Sequence, residues 1–99
     1  MQTTETNAFP RNPMEHRIAD IIRREYALAS DRPIWRAERL TEDLGGDSLA
    51  HLELMMTIET EFDVEISDDA AEAVKTIGDL CNTITTLNAA KPENAENAA

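Results

Sequence analysis

Apolar residues recur along this chain at helical rather than alternating spacing. Met14, Ile18, Ile21 and Ile22, then Tyr26 or Leu28, form one stripe, with Arg17, Arg23, Arg24 and Glu25 opposite; a first helix is predicted over 14–29. Ser30-Asp31-Arg32-Pro33 should end it, because the residue before a proline avoids helical geometry and Ser and Asp favour turns. A long connection follows over 30–46, and Ile34, Trp35, Leu40 and Leu44 are expected to pin it to the core, with Trp35 as a packing anchor. Gly45-Gly46 supplies backbone freedom and Asp47 a good N-cap, so a second helix should start at Ser48 and run to Glu61 or Phe62. Its apolar positions are Leu49, Leu52, Met55, Met56, Ile58 and Phe62. Met55 and Met56 are adjacent, so only one can face the core fully, and Met56 should be the more exposed. Asp63 to Ser67 reads as an extended link, Ser67 or Asp68 as the cap of a brief helix through Ala73, and Thr76 as the start of a last helix with Ile77, Leu80, Cys81, Ile84 and Leu87 on one face. No strand pattern emerges. The expected fold is all-α, with three main helices and one short one over 14–88, a mobile lead-in over 1–13 and a disordered tail over 89–99.

Charge sharpens this picture. The 99 residues carry a net charge of −11, and it is unevenly placed. Residues 1–39 hold seven Arg against six acids, whereas residues 40–74 hold eleven Asp and Glu with no Lys or Arg. Such a face repels nucleic acid and anionic membrane and attracts basic protein surfaces. Met1 to Asn7 is polar and no stretch is apolar enough to span a bilayer, so neither a secretory signal nor integral membrane association is expected. Cys81 is the sole cysteine, which excludes an internal disulfide and fits a reducing, cytoplasmic setting; its place in the last helix marks it as a small core residue. His16 and His51 have no zinc-site spacing, and the acids form no EF-hand loop, so no metal is expected.

Candidate chemistry concentrates at Ser48, where a loop turns into a helix. Three uses compete. As a nucleophile, Ser48 would exploit Gly46-Asp47-Ser48-Leu49, which spells the four-letter signature of the GDSL esterases. That chemistry needs a base and an orienting acid, supplied in those enzymes by an Asp-x-x-His element. Neither histidine here has an Asp three residues before it, and the chain is short for such a fold. As a helix cap, Ser48 is preceded by Asp47, which already fits that role. As a covalent attachment point for an anionic group, it lies where free N–H groups and the helix dipole favour negative charge.

Leu44-Gly45-Gly46-Asp47-Ser48-Leu49 followed by Leu52-Glu53-Leu54 resembles the phosphopantetheine attachment motif of acyl carrier proteins. Ile58 to Asp68 is similar to the end of that family's second helix and the link to its third, and Thr76-Ile77-Gly78-Asp79-Leu80 to the start of its fourth. The resemblance implies a monomeric four-helix carrier domain with no catalytic residues. Ser48 would hold 4′-phosphopantetheine, donated from coenzyme A by a phosphopantetheinyl transferase (holo-synthase), and acyl groups would ride as thioesters on its thiol. Asp47, Leu49, Glu53, Met56 and Glu59 would form the docking face for acyl-transferring and condensing enzymes with basic patches. Leu52, Ile58, Phe62, Ile66 and Ile77 would line the core that shelters an acyl chain. Ala50 stands where many relatives carry an acid, and Gly45-Gly46 is similar to peptidyl carriers. A peptidyl or aminoacyl carrier and a non-covalent acidic helical module therefore stand as alternatives to a carrier for fatty-acid, specialised lipid or polyketide-type synthesis.

Overall fold

The computed structural model describes residues 9–89; of the expected lead-in over 1–13 and tail over 89–99, residues 1–8 and 90–99 lie outside them. Four helices form: α1 (Pro13–Glu25), α2 (Ser48–Phe62), α3 (Asp68–Ala73) and α4 (Ile77–Ala89). α1 packs along α2. Their shared core holds Ile18, Ile21 and Ile22 of α1, Leu54, Met55, Ile58 and Phe62 of α2, and Ile77, Leu80, Cys81 and Ile84 of α4.

Caps define most of the boundaries. Asn12 accepts the Glu15 N–H at 2.9 Å, and Pro13 begins α1, where its missing N–H costs nothing. Ser67 caps α3 by accepting the Ala70 N–H at 3.1 Å. Thr76 and Asp79 cap α4 reciprocally: the threonine hydroxyl accepts the Asp79 N–H at 3.1 Å and the Asp79 carboxylate accepts the Thr76 N–H at 3.2 Å.

α1 stops at Glu25, four residues before the predicted end. Ala27 turns left-handed at φ 54°, and the Leu28 N–H returns to the Arg23 carbonyl at 2.8 Å while the Ala27 N–H reaches Arg24. This closure usually uses glycine; here alanine takes the position, so the sequence carries no stop signal there.

One expectation about the connection is corrected. Trp35 is 43% exposed and is no packing anchor; Ile34 and Leu40 are the buried anchors, with Leu44 partly buried. Ahead of α1, Phe9 is partly buried and packs against the core. Polar contacts complete the attachment. Leu40 N–H donates to the Lys75 carbonyl at 2.9 Å, Ile77 N–H to Glu38 at 3.0 Å and Gly78 N–H to Arg36 at 2.8 Å, around an isolated antiparallel bridge between Arg39 and Thr76. Gly78 permits that approach, since a Cβ there would sit 3.2 Å from the Arg36 carbonyl oxygen. Glu15, buried in α1, accepts from the Arg36 guanidinium at 3.0 Å and from the Arg11 backbone at 2.9 Å.

No helix among the described residues is long and apolar enough to cross a membrane.

Candidate functional site at the start of α2

The loop entering α2 is built for a tight approach. Gly45 adopts φ +80°, a region costly for residues with a side chain. The Gly45 N–H donates to Thr41 and the Gly46 N–H to Leu40, both at 3.1 Å. Gly46 lies against the Tyr26 ring so closely that a Cβ would collide with ring carbon Cε2. The Tyr26 hydroxyl is buried there without a hydrogen-bond partner among the described residues. Burial, reinforced by the negative charges of Asp47 and Glu25, raises its pKa.

Asp47 is the cap: its carboxylate accepts the Ala50 N–H at 2.8 Å. Ser48 is the first helical residue and is exposed, and no hydrogen bond among the described residues engages its hydroxyl. The capping use of Ser48 is thereby removed. The nucleophile use lacks its machinery as well. His51 Nε2 lies 2.9 Å from the Ala71 carbonyl, which only accepts, so that nitrogen carries hydrogen toward α3. No carboxylate among the described residues hydrogen-bonds this ring as a triad would require.

A groove runs beside Ser48, between the loop of Thr41 and Gly46, the first turn of α2 with His51, and α3 with its exit at Val74 and Lys75. The helix start, rather than the acidic lining, favours an anionic attachment. The Ser48 and Leu49 amides open α2 without intrahelical acceptors. Lys75 is the one Lys or Arg on the lining, which it shares with Glu42, Asp47, Asp69 and Glu72. A phosphodiester on Ser48 would thus meet helix N–H groups at the attachment point, with the groove open to a flexible arm.

The docking candidates separate by exposure. Leu49, Leu52 and Met56 are 62%, 56% and 57% exposed and form an apolar stripe on α2, with Asp47 and Glu53 exposed beside it. Glu59 is half-buried, and one of its oxygens accepts the Ile66 N–H at 2.8 Å, which fixes the link to α3. Leu52 was expected in the core and is corrected to the surface. Leu54 takes the inward position instead, while Ile58, Phe62 and Ile77 are buried and Ile66 is partly so. α2 is apolar around much of its circumference, so periodicity alone did not separate the inner face from the outer. Cys81 is buried, and its thiol pKa is pushed up to about 12 by desolvation, which makes it a core residue rather than a nucleophile.

Comparison with known proteins converges on one family. A family profile described as "phosphopantetheine attachment site" matches residues 16–84. The chain is 42% identical over 74 residues to an acyl carrier protein of Caulobacter vibrioides, covering 69% of this chain and 95% of that protein. Against an acyl carrier protein of Phenylobacterium zucineum it is 41% identical over 73 residues, covering 68% and 92%. A solved structure of a candidate acyl carrier protein from Mycobacterium tuberculosis superposes with a TM-score of 0.69 at 37% identity, covering 74% of this chain and 96% of that one.

Proposed function

Because this chain belongs to the acyl carrier protein family, which carries acyl groups on covalent 4′-phosphopantetheine and is not enzymatic, we propose that Ser48 is the attachment residue. The observation that carries this reading is an exposed serine with an unengaged hydroxyl, one residue beyond the Asp47 cap and inside the matched segment. A transferase can reach that hydroxyl without unpicking any hydrogen bond of the fold. The group supplies a flexible arm with a terminal thiol that holds acyl cargo as a thioester. Ser48 holds the arm, the Ser48 and Leu49 amides favour its phosphate, and Lys75 opposes the groove's acidity. Incubation with coenzyme A and a broad-specificity phosphopantetheinyl transferase should add one phosphopantetheine by intact mass. No addition with several such transferases would sink the reading.

The docking surface we assign to Asp47, Leu49, Glu53 and Met56, with Leu52 joining the apolar stripe and Glu59 at its far end. Exposed methionine is an adaptable contact, and the acids steer enzymes with basic patches. The cargo is an acyl group of fatty-acid, specialised lipid or polyketide-type synthesis. Glu53→Lys should weaken binding to the transferase about fivefold at low salt. That difference should shrink toward 1 M salt, where the screening length is about 3 Å. Binding insensitive to both changes would rule out electrostatic docking through Glu53.

A further inference from the structure

α3 is the weakest wall of the groove. It has six residues, Asp68–Ala73, and none is buried. Its neighbours Ile66 and Val74 pack inward at either end, but between them only Ala71 packs partly against the core. A segment with so little buried apolar surface opens at low cost. One side-chain bond crosses from α2 to its middle: His51 Nε2 donates to the Ala71 carbonyl at 2.9 Å. His51 is half-buried, lies one turn after Ser48, and lines the same groove.

We propose that His51 is a positioning residue that latches α3 to α2 and thereby sets the width of the groove beside Ser48 that receives the phosphopantetheine arm. The inference rests on the attachment reading for its consequence but not for the latch itself. A residue at this position that cannot donate leaves α3 held only by its two ends and the partial packing of Ala71, and the groove opens on the side away from the loop.

Amide hydrogen exchange on the unmodified protein tests the latch. His51→Ala should raise exchange at Ala71 to Val74 about tenfold, the size of one net hydrogen bond, with α1 and α4 unchanged. His51→Gln, which can still donate, should recover most of the protection. Unchanged exchange in α3, or an equal rise across the bundle, would overturn the proposal. On the modified protein, the arm's thiol should react with an aromatic disulfide reagent at least twofold faster in His51→Ala and near the wild-type rate in His51→Gln. Equal thiol rates in all three would overturn the positioning of the arm. If the wild-type protein takes up no phosphopantetheine, the attachment reading fails while the exchange result still decides the latch.

Discussion

Ser48→Ala is expected to abolish phosphopantetheine attachment completely and to leave the fold intact. The two halves of this expectation come from one geometry. The hydroxyl is exposed and unengaged, so its removal breaks no hydrogen bond of the described residues. Asp47 performs the capping, through the 2.8 Å bond from the Ala50 N–H. Alanine is also the better helix former, so the stability change should stay within about 0.5 kcal/mol. Asp47→Ala should behave in the opposite way, keeping the hydroxyl and costing about 1 kcal/mol through the lost cap. Intact mass after transferase treatment reads the first effect, and urea unfolding followed by circular dichroism reads the second. Residual modification of Ser48→Ala would place the attachment elsewhere. A loss above 1 kcal/mol for that variant would mean Ser48 carries structure after all.

Glu15→Ala is expected to be the most damaging of these substitutions to the fold. Glu15 is 2% exposed. Its carboxylate receives the Arg36 guanidinium at 3.0 Å and the Arg11 backbone N–H at 2.9 Å. Arg36 is itself mostly buried; it donates to Asn82 on α4 at 3.2 Å, and its carbonyl takes the Gly78 N–H. Removing the carboxylate leaves a guanidinium with little access to water and no counter-charge. Breaking a buried pair from one side costs about 3 to 5 kcal/mol, against about 5 to 15 kcal/mol for a whole domain. Glu15→Gln keeps the volume and an acceptor and should lose less. Glu15→Met with Arg36→Met removes both charges and should recover part of the stability. Denaturant midpoints measure all three. A loss under 1 kcal/mol for Glu15→Ala would show that the apolar anchors Ile34 and Leu40 hold the connection unaided.

The elements legible in the sequence are those specified by neighbours in the chain. Asp47, read as the cap of α2, and Ser67, one of two candidate caps of α3, each act within three residues, and Thr76 marked the start of α4 to within one residue, its reciprocal bonds with Asp79 appearing only in the structure. Ser48 stood out for the same reason, since a loop–helix junction is a local event. What escaped was either unusual locally or distant in sequence. The end of α1 depends on an alanine in a conformation that alanine seldom takes. Glu15 and Arg36 are 21 residues apart, and His51 and Ala71 are 20 apart, so neither pairing leaves a trace in spacing. Leu52 was misplaced because α2 presents apolar residues on two faces, one buried in the core and one exposed. A helix that serves two apolar surfaces blurs the signal that normally separates inside from outside.

The contact between Gly46 and the Tyr26 ring restricts how carriers of this kind can be recombined. A side chain on the residue before Asp47 would fall in the volume filled by Tyr26, the C-cap of α1. A hybrid that imports an attachment segment bearing a side chain at position 46 must therefore import a smaller residue at position 26 with it. In a double-mutant cycle, Gly46→Ala should be tolerated better beside Tyr26→Ala than beside the native tyrosine, and additive costs would refute the coupling. The proposed docking face of α2 is exposed instead of packed against α1. Its exposed stripe can be exchanged between carriers independently, whereas the dipeptide ahead of the serine travels only as half of a pair.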